Sequence, residues 1–319
     1  MIPSIWFKEA QERIRPYIQE TPLTFDPVLG VFLKWENHQV TGSFKARGAL
    51  NKILSLMPWE QQRGIVTASA GNHGQGVALA ARLVSAPAIV FASEQAATKK
   101  IKAIEKLGAQ VRRVSGRYAQ AEIAGLKYAR ANDAAWISPY NDGQVIAGQG
   151  TLVLEVFRQQ PDLNQAVWVV PVGGGGLISG VGAALAAYAP GVKVLGVQSE
   201  ASPFFYAVLK HGTQDNVVEL DSLADGLAGP VEANSITIPI VHRTVQDILL
   251  VTEAEIAAAI AYAWHNYREQ IEGSAAVSLA AILTGKISKR PAVLILSGGN
   301  IQPEVHDQII QSHPKFTRS

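Results

Sequence analysis

No cysteine occurs anywhere in the 319-residue chain. Disulfides, cysteine zinc sites, iron–sulfur clusters and a cysteine nucleophile are therefore excluded. Long uncharged apolar runs are missing as well: no stretch approaches the roughly 18 residues that a membrane helix requires. The N-terminus, MIPSIWFKEAQERIRPYIQE, carries charges every few residues and lacks an apolar signal core, so a cytoplasmic protein without a membrane partner is expected. Charged residues make up only 17% of the chain, the net charge is +2, and basic residues never cluster beyond a short pair. That argues against nucleic acid as a partner. Neither G-x-S-x-G nor H-E-x-x-H occurs, and the seven histidines show no metal-ligand spacing, so no metal is expected. His306 and His313, near the tail, read as solvated.

What is abundant is apolar residue, 48% of the chain, enough to bury a sizeable core. From about Arg63, short apolar runs alternate with helix-period segments. GIVTASA (64–70), APAIVFAS (86–93), AQVRRV and AAWIS read as strands, separated by helical stretches. In TKKIKAIEKLG, Thr98 is the expected N-cap and Gly108 the stop. A second series follows, with AVWVVPV, VKVLGVQ and PAVLILS as strands and helices between them. Strands interleaved with helices of ten or more residues imply parallel sheets with right-handed crossovers. The reading is α/β, with a smaller unit over 56–145 and a larger one from 1–55 and 146–319. A ligand belongs in the cleft between them.

Three glycine-bearing loops follow directly on strands. In VVPVGGGGLISG (169–180), Gly173, Gly174, Gly175 and Gly176 stand between an apolar strand and a helical pattern. Four glycines cost backbone entropy, and bare amides at a helix start form an anion cup, best suited to a phosphate monoester. The G-x-G-x-x-G spacing fails, and a P-loop motif is absent. SAGNHGQG (69–76) supplies Ser69 as a capping hydroxyl, Asn72 as donor and acceptor, and glycines that let a ligand approach. There His73 reads simply as a first-turn helix residue. LSGGN (296–300) places Ser297 at a strand's C-terminal end, the edge where α/β sheets hold ligands. TGSFKARGA (41–49) adds Lys45, either a solvated charge or a nucleophilic amine.

TGSFKARGA, SAGNHGQG, PVGGGGLISG and LSGGN together resemble the serine/threonine dehydratase and serine racemase family, pyridoxal-phosphate enzymes of the tryptophan-synthase β-like fold. LKWENHQ (33–39), AGQGT (147–151), ADG (224–226) and EGSAA (272–276) extend the resemblance over nearly the whole chain. It implies two three-layer parallel-sheet domains with pyridoxal 5′-phosphate in the cleft, the smaller domain mobile, and a homodimer. Residue by residue, Lys45 would bind the cofactor covalently. Asn72 would hydrogen-bond the ring hydroxyl oxygen, and Gly173 to Gly176 with the Leu177 amide would cradle the phosphate. Ser297 would face the pyridine nitrogen, and Ser69, Ala70, Gly71, Asn72 and His73 would grip the substrate carboxylate.

The resemblance also implies which reaction. Racemases of the family carry a serine as second base just before the glycine of the asparagine loop; here that residue is Ala70, which holds no proton. Elimination needs one base and racemisation two, so a dehydratase of a 3-hydroxy amino acid is expected, with L-threonine and L-serine leading. Other 3-hydroxy amino acids (3-hydroxyaspartate, phenylserine, a hydroxyectoine-pathway intermediate), serine racemisation, β-replacement and a non-catalytic phosphate-binding regulator are the alternatives. Two departures from the pattern stand out. Gln198 and Phe204 occupy the places of the family's divalent-cation carboxylates, and SPYND (138–142) stands where many relatives carry His-Pro. The chain ends soon after LSGGN, so no C-terminal regulatory domain or feedback inhibition is expected.

Overall fold

The structure, a computed structural model, describes residues 1–313. Ten strands fall into two sheets: β1 (Leu23–Asp26), β2 (Val31–Trp35), β3 (Ile65–Ala68), β4 (Ala88–Ser93), β5 (Gln110–Val114), β6 (Ala135–Trp136), β7 (Val167–Pro171), β8 (Val194–Ser199), β9 (Asp247–Val251) and β10 (Ala292–Leu296). The smaller sheet has the order β5-β4-β3-β6 and is parallel throughout. In the larger, β1-β2-β10-β7-β8-β9, only β1 runs antiparallel, closing a hairpin on β2. The expectation of two purely parallel sheets is corrected at that edge, where a short turn suffices and no crossover helix is needed.

The central strands explain themselves. VWVVP in β7 and AVLIL in β10 are buried at every residue, as befits strands covered on both faces by helices. Helix packing between the two sheets relies on missing side chains. In AGQGT, a Cβ on Gly148 would lie 2.6 Å from the Arg47 carbonyl, and one on Gly150 2.7 Å from the Gly180 carbonyl. The Gly143–Gln159 helix can therefore nest between the Lys45–Leu54 and Gly176–Tyr188 helices. Asp142 caps it, its Oδ1 accepting from the Gln144 and Val145 amides at 2.8 and 3.0 Å.

Two local expectations are overturned. Thr98 is the first helical residue rather than the cap; Ala97 takes that place, and no side chain caps this helix. His306 is buried, 4% exposed, because its ring packs edge-on against Trp264 at 5.2 Å. Burial there lowers its pKa. Gly108 does end its helix, at φ +95°, a conformation that costs glycine nothing.

Candidate active site

The three loops meet at the C-terminal ends of β3, β7 and β10, where they surround the start of the Lys45–Leu54 helix. Ser43 pairs with Gly298 in an isolated antiparallel bridge, and the Phe44 amide donates to the Ser297 carbonyl at 3.0 Å. These contacts seat the TGSFK segment on LSGGN and bring buried Ser297 beside it. On the other side, a Cβ on Gly76 would stand 3.3 Å from the Lys45 carbonyl carbon, so the SAGNHGQG helix packs directly against the lysine's backbone.

Lys45 Nζ donates to the Pro139 carbonyl at 2.9 Å. Burial disfavours its ammonium form and lowers its pKa to about 8, with the Glu272 charge opposing. This is not a solvated surface lysine. The next residue after Pro139, Tyr140, lies on the glycine loop: a Cβ on Gly174 would fall 2.3 Å from its ring, and one on Gly176 2.8 Å from its Cβ. Gly175 has φ +87°, the left-handed region, and a Cβ there would also meet the Phe205 ring at 2.4 Å. Thr237 Oγ1 donates to the Gly174 carbonyl at 2.9 Å, which fixes the loop ahead of a 13-residue helix whose first turn includes buried Leu177.

In the asparagine loop, the Gly71 amide donates to Ser69 Oγ at 3.1 Å, and Gly71 itself is the residue preceding the Asn72–Leu83 helix. Open space surrounds the Gly71 Cβ position. The Asn72 side chain is held on both sides: Nδ2 donates to Glu272 Oε1 at 2.7 Å, and Oδ1 accepts from Asn300 Nδ2 at 2.7 Å. His73 is buried, with Nε2 3.1 Å from the Ile137 carbonyl. Burial, then the Lys45 charge, drive its pKa down to about 3, so it stays neutral at working pH. The structure thus brings Lys45, the glycine loop, the asparagine loop and Ser297 close to one another.

Sequence reading missed Glu272, Asn300 and Tyr140. Glu272 and Asn300 lie in quoted motifs, EGSAA and LSGGN, but their partner Asn72 is 200 and 228 residues away. Burial, then the Asp225 charge, raise the Glu272 pKa to about 7.

The cleft fits a phosphorylated aldehyde cofactor. It combines a half-buried amine, a glycine loop packed too closely on Leu227, Tyr140 and Phe205 to admit a Cβ, and buried hydroxyls without partners at Thr41, Ser43 and Ser274. The sequence pattern of pyridoxal-phosphate dependent enzymes matches residues 14–298. The chain belongs to that family. Pyridoxal 5′-phosphate is accordingly its cofactor. An L-threonine ammonia-lyase from Thermotoga maritima is 41% identical over 310 residues, 95% of this chain and 77% of that one. Among solved structures, maize serine racemase is similar at 30% identity and TM-score 0.88, covering 97% and 96% of the two chains. The processed form of threonine deaminase isoform 2 from Solanum lycopersicum is similar at 30% and 0.88, over 96% of this chain and 87% of that one.

In a pyridoxal-phosphate dependent enzyme the glycine cradle is a sensitive place to intervene. Gly174→Ala is expected to weaken cofactor binding at least tenfold, about 1.4 kcal/mol or more, because the methyl overlaps the Tyr140 ring. Titrating the apoprotein with cofactor, followed by absorbance, measures this; unchanged affinity would remove the loop from the binding site.

The described residues contain no group of three or more His, Cys, Asp or Glu that could hold a metal ion. Gln198, at the place of a family carboxylate, is buried and accepts from the Tyr206 amide at 3.0 Å. No helix among the described residues is long and apolar enough to cross a membrane.

Proposed function

We propose that this protein is an ammonia-lyase that converts L-threonine or L-serine to a 2-oxo acid and ammonia. The carrying observation is that Lys45 is a proton-accepting amine while Ala70 stands where a racemase of the family carries its second base. Lys45 has a pKa of about 8, Ala70 holds no proton, and His73 is neutral with one nitrogen occupied by the Ile137 carbonyl. One base suffices for elimination, whereas racemisation needs a second on the opposite face. The similarity to an L-threonine ammonia-lyase points the same way.

Bound in the cleft, pyridoxal 5′-phosphate supplies the electron sink for charge developing at the substrate α-carbon. Lys45 is the residue proposed to hold it covalently, with Gly173 to Gly176 and the Leu177 amide on its phosphate, Asn72 on its ring oxygen and Ser297 at its ring nitrogen. Ser69 to His73 orient the substrate carboxylate through backbone amides at the helix start. Released from the cofactor by the substrate's own amine, Lys45 Nζ would accept the α-proton, and the 3-hydroxyl, taking up a proton, would leave as water. Water leaves and water returns, so the net change is release of ammonia. Ser297, a buried hydroxyl rather than a carboxylate, would face the ring nitrogen without a charge to hold a proton there.

We infer that the carboxylates around Tyr140, which packs on the glycine loop, favour an uncharged substrate side chain over an acidic one such as that of 3-hydroxyaspartate. Tyr118 donates to Glu122 Oε1 at 3.0 Å, and Tyr140 accepts from the Glu232 amide at 3.2 Å. Asn141 Nδ2 donates to Glu232 Oε2 at 2.6 Å, and Lys100 pairs with Asp225 at 2.8 Å. A substrate carboxylate would meet carboxylates there, and like charges repel. We further infer a cytoplasmic homodimer in which segment 56–145 moves against the rest. The cross-cleft pairs Asn72–Glu272 and Lys100–Asp225 are contacts that such a motion would make and break.

Ammonia release should be measured over 3-hydroxy amino acids of both configurations. L-threonine and L-serine should be turned over at least about tenfold faster than 3-hydroxyaspartate or phenylserine, equivalent to 1.4 kcal/mol in the barrier. L-serine should lose ammonia faster than it forms D-serine. Faster racemisation than ammonia release would overturn the assignment.

A further inference from the structure

The side-chain amide of Asn72 offers two N–H donors and one oxygen. One N–H is taken by Glu272 Oε1 and the oxygen by Asn300 Nδ2, both at 2.7 Å. Asn300 is itself anchored, its Nδ2 also donating to the Thr41 carbonyl at 2.7 Å. Turning the Asn72 amide over would set N–H against N–H at Asn300 and oxygen against carboxylate at Glu272. Its two neighbours therefore choose its orientation and leave one N–H unassigned.

Glu272 is well placed for this task. It is 8% exposed, and its amide donates to the Gly298 carbonyl at 3.0 Å. A Cβ on Gly298 would stand 2.8 Å from Oε1, so the bare glycine leaves room for the carboxylate. Asp225 and Lys100 face it as an ion pair, and Lys45 lies within electrostatic reach.

We propose that Glu272 is a positioning residue of the cofactor pocket: by accepting one N–H of Asn72 it aims the other at the cofactor's ring oxygen. This rests on the reading of Asn72 as a cofactor-binding residue. Glu272 makes no contact with reacting atoms; it acts through Asn72, and links the loop after β3 to the loop after β10.

The test uses full-length apoprotein titrated with pyridoxal 5′-phosphate in the absence of substrate, read as apparent Kd and as the absorbance maximum of the bound cofactor. Glu272→Gln keeps the volume but replaces the charged carboxylate by an amide, a weaker acceptor with one oxygen and an N–H that would face the Asn72 N–H in the other orientation. It should weaken binding at least tenfold and displace the maximum. At a pH well above 8, where Lys45 is neutral with or without the Glu272 charge, the same substitution in an Asn72→Ala background should add less than twofold and leave the maximum of that variant unchanged. Glu272→Asp keeps the charge but withdraws it by one methylene. It should weaken binding less than Gln does, again only when Asn72 is present, and serves if Gln impairs folding. Thermal midpoints of all variants separate loss of fold from loss of positioning.

Equal losses with and without the Asn72 side chain would overturn the proposal while leaving the Asn72 reading intact. Asn72→Ala with unchanged affinity would overturn both.

Discussion

Lys45→Ala is expected to abolish the cofactor's absorbance band in the visible edge and to lower ammonia release on the order of 10³-fold or more. A positioned general base alone contributes 10²–10⁴-fold, and covalent attachment is lost as well. The fold should survive. Lys45 opens the Lys45–Leu54 helix, where alanine is the best helix former, and its amine makes a single hydrogen bond, to the Pro139 carbonyl. A thermal midpoint close to that of the wild type, beside a silent spectrum, would identify the loss as chemical.

The same amine predicts a pH dependence. Its pKa is lowered to about 8 by burial, against the Glu272 charge. Only the neutral amine has the lone pair that attacks an aldehyde, and the neutral fraction grows as pH rises through about 8. Cofactor capture by the apoprotein should therefore accelerate roughly tenfold per pH unit below 8 and level off above it. A flat profile, or a band retained in Lys45→Ala, would show that another group holds the cofactor.

Much of this site could be read from the chain because its parts are local. A glycine run after an apolar strand declares its own backbone requirement, and the structure answers with Gly175 at φ +87° and Tyr140 pressed on Gly174. β7 and β10 were legible for a similar reason: fully buried parallel strands are apolar at every position. β2 was not, since VFLKW carries a lysine among its apolar residues. Lys34 is fully buried there, and its counter-charge comes from Glu155, 121 residues on. The same distance hid Glu272 and Asn300, whose motifs were visible but whose partner was not. His306 looked solvated because nothing in its neighbourhood announces Trp264 as a lid.

The buried ion cluster behind the site yields the largest expected effect on stability. Lys34 Nζ lies 2.6 Å from Glu155 Oε1, Arg47 Nη1 lies 2.9 Å from Glu155 Oε2, and Arg47 Nε lies 2.7 Å from Glu36 Oε2. Thr21 adds its hydroxyl to Glu36 at 2.6 Å. Two cations are thus balanced by two carboxylates away from water, joining β2, the Lys45–Leu54 helix and the Gly143–Gln159 helix. Glu155→Gln would leave two cations against one carboxylate, and an uncompensated buried charge costs about 3–5 kcal/mol. For a chain of this length that corresponds to a fall in Tm of roughly 5–15 °C.

The acid side of the stability curve should change too. Burial opposes ionisation of Glu155, but Arg47 and then Lys34 outweigh it and hold its pKa down to about 2. A depressed carboxyl stabilises the fold above its unfolded pKa, and that contribution is lost as pH falls toward the folded value. Between about pH 4.5 and 2 the wild type should therefore lose stability more steeply than Glu155→Gln, and the two denaturation curves should converge. Arg47 follows Lys45 by two residues on the same helix, so the variant should also bind cofactor more weakly even where it remains folded. Parallel pH-denaturation curves, or a Tm within about 2 °C of the wild type, would show that the cluster does not anchor the helix that carries the amine.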